Sequence, residues 1–357
     1  MSELFKNHFL QLHLLTSYPP ANLNRDDLGR PKTAFMGGSL RLRVSSQSLK
    51  RAWRTSEVFE SALSGNLGVR TKENGIEIYN NLKEKGVSEK DAKTWAKSIA
   101  GVFGKPKKAD TNYPLRELEV EQLVHIGPEE KQEIDRLVST ISDRGSGPEE
   151  EELNLLRNYT GAADIALFGR MLADATMFNV EAAAQVAHAL AVHRCQVEED
   201  FFTAVDDLNK GDEDMGAGHL GETEFGAAVF YIYICIDRQL LLENLQGDKD
   251  LAKRTLSALV ECACTVAPTG KQSTFASRAY SSYALAEKGD RQPRSLSVSF
   301  LNAIQGEDLL AKAVNSLNEN MEKMDQVYGP CADSRCSMNA LTGEGSLSDI
   351  QNFVTED

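Results

Sequence analysis

The chain is short of several things that would each have placed it at once. Six cysteines in 357 residues, Cys195, Cys235, Cys262, Cys264, Cys331 and Cys336, are too sparse and uneven for a disulfide framework. Cys262 and Cys264 stand two apart in a helical pattern that turns their side chains away from each other, so they do not join "CADSRC" as a zinc site, and no metal is expected. No run of about 18 apolar residues is present to cross a bilayer, and "MSELFKNHFLQLHLLTSY" lacks a basic leader and a small-residue cleavage site. A soluble cytoplasmic protein is the expectation. The six histidines form no H-E-x-x-H pattern, and no nucleophile elbow is found. Aromatics are 7% of the chain, and Tyr231 and Tyr233 lie in a run apolar on both faces, so the stacking signature of a sheet-face RNA reader is missing. Positive charge is scarce as well: the net charge of −14 excludes a protein basic all over.

What positive charge there is has been gathered. Residues 25–54 hold Arg25, Arg30, Lys32, Arg41, Arg43, Lys50, Arg51 and Arg54 against only Asp26 and Asp27, a segment of +6 in a chain whose remainder carries −20. A basic strip on an acidic body draws a polyanion to one track and repels it elsewhere. The densest stretch is "RVSSQSLKRAWR", residues 43–54. Arginine grips phosphate with a planar fork, lysine supplies a point charge, and serine hydroxyls such as that of Ser46 add neutral donors at a helix N-terminus. Two glycines in "FMGGS" let a backbone approach closely. A merely solvated charged face is the alternative, weakened by the imbalance of sign and by the interleaved serine and glycine. These groups all address a sugar-phosphate chain, so the expected ligand is RNA held by its backbone.

Other motifs fail on context. "GAGHLG" at 216–221 fits G-x-G-x-x-G but follows an acidic loop and precedes a strand, so it reads as a hairpin tip and no cofactor is expected. "APTGKQST" misses the spacing of a phosphate loop, although Lys271 and two hydroxyls after a helix can still touch a phosphate. Asp26 with Asp27 and Asp206 with Asp207 are adjacent and loop-bound, which does not converge them on two metals. His188 and His193 with Cys195 fall on different sides of a helix by spacing, so they read as packed or exposed histidines.

Along the chain, "FLQLHLLTSY" alternates as a strand, "PPANLNRDDLGRPKTAFMGGS" reads as a long loop, and "LRLRV" is a short strand. Ser45, Ser46 or Ser48 caps a helix that places Leu49, Ala52, Trp53, Phe59 and Leu63 near one face and Lys50, Arg51 and Arg54 on the other. Residues 61–160 read as a helical insertion. "ADIALFGRM" is taken as a strand, "VEAAAQVAHALAVH" as an alanine-rich helix, residues 194–224 as a projecting hairpin, "AAVFYIYICI" as a strand, "KDLAKRTLSALVECACTV" as a helix and "RSLSVSF" as a final strand. The order is βαββαβ, an α+β ferredoxin-like or RRM-like fold from residues 1–60 and 161–357.

"NLNRDDLGRPKTAFMGG", "RVSSQSLKRAWR", "ADIALFGRM", "AHALAVH", "DFFTAVDDL" and "GAGHLGETEFGAAVFYIY", in that order, resemble the CasC-type backbone subunit of type I-E CRISPR Cascade complexes, of the RAMP superfamily. The resemblance implies a ferredoxin-like palm, helical fingers and a thumb hairpin, with several copies stacked along a CRISPR guide RNA in an antiviral ribonucleoprotein. It implies that Arg25, Lys32, Gln47, Lys50, Arg51 and Arg54 line the RNA track, with Ser46, Arg170 and Lys271 as further candidates. Met171 with Phe202, Thr203 and Val205 would wedge at a displaced nucleotide, aromatic and apolar side chains replacing a lost base stack. Lys105, Lys107 and Lys108 of "KPKK" are the candidates for target DNA. Other copies and other Cascade subunits are the implied partners, no catalytic residue is expected, and the chain is read as not an enzyme. The rivals are a RAMP-type endoribonuclease cleaving bound RNA and a single-copy RNA-binding module.

Overall fold

The computed structural model describes residues 5–204 and 219–356. The opening alternation forms β1 (Phe9–Ala21). The Pro- and Gly-rich stretch after it is not all loop: it holds β2 (Thr33–Met36), which pairs with β3 (Ser39–Val44) across Gly37 and Gly38. A side chain at Gly37 would collide with the carbonyl of Leu301, so only glycine lets the hairpin pack there. α1 (Ser46–Arg54) starts at Ser45, whose hydroxyl accepts from the Ser48 N–H at 3.3 Å, and it buries Leu49, Ala52 and Trp53. The middle of the chain carries α2 (Glu57–Ala62), β4 (Val69–Thr71), α3 (Asn74–Glu84), α4 (Glu89–Gly101), β5 (Val124–Ile126), α5 (Pro128–Arg144) and α6 (Ala163–Phe168). Then come β6 (Ala184–Val186), β7 (Ala189–Ala191), β8 (Glu198–Ala204), β9 (His219–Asp237), α7 (Arg238–Asn244), α8 (Lys249–Thr265) and α9 (Gln272–Phe275). β10 (Ser281–Gly289), α10 (Leu309–Tyr328), β11 (Ser334–Asn339) and α11 (Leu347–Thr355) complete the chain.

The main sheet runs β11-β10-β1-β9-β7-β3-β2. Within it β1, α1, β7, β9, α8 and β10 follow one another as strand, helix, strand, strand, helix, strand, and the spatial order β10-β1-β9-β7 with antiparallel neighbours is ferredoxin-like. The fold class is therefore as expected, but three of its elements are not. "ADIALFGRM" is the short helix α6, buried from Ala163 to Leu167; an apolar run this short suits either state, and tertiary packing decides. "VEAAAQVAHALAVH" supplies β6 and β7: Ala189 and Ala191 are buried between β9 and β3, where the ladder outweighs alanine's helix propensity. "RSLSVSF" is a 3-10 turn that seats Phe300, and the fourth strand is instead β10, disguised by the buried charges of Glu287 and Lys288.

The chain forms two units. One comprises Glu60–Ala184 with Arg238–Thr255, its core gathering Ile78, Leu82, Ile99, Phe103, Ile134 and Ile141 from α3, α4 and α5. The other comprises Phe5–Phe59, Gln185–Asp237 and the residues from Leu256 onward. In this second unit alternation on β1 ordinarily signals a wet polar face, yet Gln11 and His13 are buried. Leu15 on the same face packs with Phe300, Val314 and Leu317. The polar residues are satisfied by a closed network: His13 Nε2 lies 3.0 Å from a Glu287 oxygen, and Tyr231 donates to His13 Nδ1 at 2.8 Å while accepting from the Leu296 N–H at 3.0 Å. Arg335 Nε donates to Glu287 at 2.7 Å, and Arg294 closes on the same carboxylate.

Candidate nucleic-acid interface

The basic strip lies in the second unit, and asparagines order it. Asn22, buried, donates to the carbonyls of Gly29 at 3.0 Å and Glu224 at 2.9 Å, while Asp26 accepts from the N–H groups of Leu28 and Arg30, both at 2.9 Å. Asn24 takes the Ser45 N–H on its side chain and the Lys32 N–H on its carbonyl, both at 2.8 Å. The Lys32 carbonyl then accepts from the Arg43 N–H at 2.8 Å. One residue thus ties the loop bearing Arg25 and Lys32 to the start of α1. Along α1, Gln47 and Arg51 are exposed, and Lys50 and Arg54 are half-buried.

Two members of the expected strip are not open to a ligand. Arg41 is wholly buried and donates to the carbonyls of Ala191 at 3.1 Å and Phe300 at 3.0 Å, binding β3 to β7 and the 3-10 turn; burial pushes its guanidinium below the usual range. Ser46 is buried, and its backbone N–H donates to His188 Nδ1 at 3.1 Å, so that N–H is taken up within the fold. His188 stands exposed just before β7, with Arg43 Nη1 3.3 Å from the same Nδ1. Its imidazole is pushed below the usual histidine range by desolvation first and by Arg43 and Lys32 after it.

Lys271 takes a left-handed backbone and donates to Thr223 Oγ1 at 2.8 Å. Gly270 before it lies so close to the Leu23 carbonyl that a side chain would not fit, which sets Lys271 beside the loop carrying Arg25. Phe202 and Thr203 sit on β8, which pairs with β9 from Glu198↔Phe225 to Ala204↔His219. The Phe202 ring covers Gly221, opposite it in register, and remains 43% exposed. Val205 and the glycines at 216 and 218 of "GAGHLG" lie outside the described residues; Gly221 is a strand residue. At its C-terminal end α1 borders a cleft of about 780 Å³ whose rim carries Arg278 and the exposed ring of Tyr280.

The remaining candidates belong to the first unit. Met171 is 81% exposed. Its neighbour Arg170 is the opposite: its guanidinium meets both Glu130 oxygens at 2.7 and 2.8 Å and the carbonyls of Arg157 and Phe178 at 2.9 and 3.0 Å, a buried staple with no donor directed outward. In "KPKK", Lys105 pairs with Glu121 at 3.1 Å and Lys107 with Glu119, while Lys108 is exposed. Pairing with glutamates lowers the field that two of these lysines offer to DNA.

Among the described residues no group of three or more His, Cys, Asp or Glu side chains is placed to hold a metal. Burial pushes the Cys262 thiol up to about 11 and the Cys264 thiol up to about 12, leaving both as unreactive packing groups. Sequence reasoning missed His188 and Asn24. The signal for His188 was there in its place before an A-L-A alternation, but reading that stretch as helix concealed that it begins a strand beside β3.

Residues 10–353 match the model of a protein family described as CT1975-like protein. Among solved structures, a chain of a "CRISPR RNA-guided surveillance complex, pre-nicking" superposes with a TM-score of 0.84 at 29% identity, covering 97% of this chain and 99% of that one. A chain of a "CRISPR RNA-guided surveillance complex" superposes at 0.74 with 24% identity and the same coverage, a likeness of fold. No curated protein matches the sequence.

Proposed function

The chain belongs to the CT1975-like protein family, and from that premise we propose that it is a guide-RNA-binding backbone subunit of a Cascade-type CRISPR surveillance complex. The observation that carries this reading is the ordered basic strip, loop 24–32 joined through Asn24 to α1, in a chain of net charge −14. The full-length likeness to a chain of an RNA-guided surveillance complex supports it. Arg25, Lys32, Gln47, Lys50, Arg51 and Arg54 hold phosphates of the guide, and Lys271 joins them from the loop after α8. Because the contacts address phosphate and sugar, the bases stay available, and sequence recognition passes to pairing between guide and target DNA. Met171 and Phe202, both exposed apolar side chains, wedge at nucleotides displaced from the run, so the guide is presented in segments.

A +6 segment on a −20 remainder suits head-to-tail contact between copies, since one copy's basic track and the next copy's acidic body attract. A heterologous contact that does not close makes a filament, whose length the RNA and other subunits then set. On the resemblance of its motifs we read the assembly as type I-E and the subunit as a RAMP protein of the cytoplasm, with cleavage left to another protein. The test is the mass of the purified protein on single-stranded RNAs of increasing length, by light scattering, followed by a gel of the RNA. Stepwise addition of one subunit for every few nucleotides with intact RNA is expected; a fixed single copy, or shortened RNA, would overturn the scaffold reading.

A further inference from the structure

At the start of α1 a backbone N–H is taken up within the fold, and the histidine that takes it stands at the surface. Ser46 is buried and its N–H is given to His188 Nδ1 at 3.1 Å, with Arg43 Nη1 at 3.3 Å from the same nitrogen. A ring nitrogen approached by two donors acts as the acceptor, so the proton of the neutral imidazole sits on Nε2. Desolvation disfavours a charged ring, and Arg43 and Lys32 act in the same direction, which favours the neutral imidazole. His188 is exposed, and no described residue accepts its Nε2–H. A donor N–H on an exposed ring beside two cations has the chemistry of an oxyanion seat: the cations neutralise the ligand, and the neutral donor directs one oxygen.

We infer that His188, with Arg43 and Lys32, forms a phosphodiester seat in which the His188 Nε2–H donates to a phosphate oxygen while its Nδ1 fixes the start of α1. The inference deepens the RNA-binding reading and rests on it. It assigns to His188 a neutral donor role at the start of α1, and it gives Arg43 a ligand-facing duty beside its backbone contact with Thr33, whose carbonyl its Nε approaches at 3.4 Å.

Asparagine and glutamine separate the two ring nitrogens. In His188→Asn the amide oxygen falls near Nδ1 and still accepts the Ser46 N–H, but nothing reaches the place of Nε2. In His188→Gln the side chain reaches the place of Nε2 and leaves Ser46 without its acceptor. Binding to a fluorescent oligouridylate is measured by anisotropy over a salt series, together with thermal unfolding. His188→Asn is expected to bind about tenfold more weakly with an unchanged melting temperature, the size of one lost hydrogen bond to a charged group. Its salt slope stays that of the wild type because no charge is removed, whereas Arg43→Gln lowers the slope by about 0.7. His188→Gln is expected to melt earlier. Wild-type affinity in His188→Asn, with the slope of Arg43→Gln reduced, would overturn the seat and leave His188 as a cap while RNA binding stands. Absence of salt-dependent binding by the wild type would instead overturn the RNA-binding reading itself, and the seat with it.

Discussion

Around Glu287 two arginines and a histidine close on one carboxylate inside the second unit; around α1 the same kinds of side chain stand at the surface of that unit. In the first place every charge is answered within the chain. Desolvation there costs several kcal/mol per ion, and what repays it is the complete set of partners, which ties β1, β10, β11 and the segment after β10 together. In the second place the backbone is ordered by Asn22, Asn24 and Asp26, Arg30 pairs with Glu224 at 3.1 Å, and Gln47 and Arg51 stand exposed to solvent. The lesson is that the number of arginines in a segment says little; what matters is whether the fold supplies their acceptors. Arg41 and Arg170 fall on the first side of that division although the sequence placed them on the second.

The comparison breaks first at Glu287. Glu287→Gln leaves Arg294 and Arg335 with Asp325 as their remaining carboxylate and should cost about 3–5 kcal/mol in chemical denaturation, with the salt dependence of RNA binding by the folded protein unchanged. A changed salt slope with intact stability would mean that the two clusters are one. The converse variant, Lys50→Ala with Arg54→Ala, should lower the slope of log affinity against log salt by about 1.4, twice the single-strand value per phosphate. The variant should still fold, as its circular dichroism spectrum will report.

Acid sharpens the same contrast. Burial pushes the His13 imidazole below its usual value of 6.5, so the fold holds it neutral. As pH falls below 6.5 the unfolded chain binds a proton that the folded chain refuses, and stability declines; His13→Gln should remove that decline, as melting temperatures across pH 5 to 8 will report. Burial works to raise Glu287, but hydrogen bonds from His13 and Arg294 outweigh it and hold the carboxyl below the usual carboxylate range. Its contribution is whole above 4.5 and is lost only as pH drops through the depressed folded value. Smallest is Gly221→Ala, whose new methyl would meet the Phe202 ring and turn it aside. RNA affinity should fall a few-fold, with melting nearly unchanged.

The periodic elements were legible: β1, β3, α1, the apolar half of β9 and α8 carry their pattern in the sequence. β7 and β10 did not, because alanine and buried charge take their conformation from what surrounds them. The surface positions of Gln47 and Arg51 followed from helical spacing once Ser45 was read as a cap. The burial of Arg41 and Arg170 did not, since their acceptors are backbone carbonyls and a glutamate distant in sequence, for which no local pattern exists. His188 escaped because the helical reading of its segment hid its neighbours.

β9 is one unbroken strand of 19 residues. Its first residues pair with β8 as far as Phe225, and from Gly226 to Asp237 it pairs with β1. Mechanically this is a beam with one end built into the middle of a floor. A pull on an RNA gripped at the hairpin would run lengthwise into β9 and load the rungs to β1 in shear, many together, where a hinge would let them open in succession. The hairpin would then yield to tension only when the sheet does.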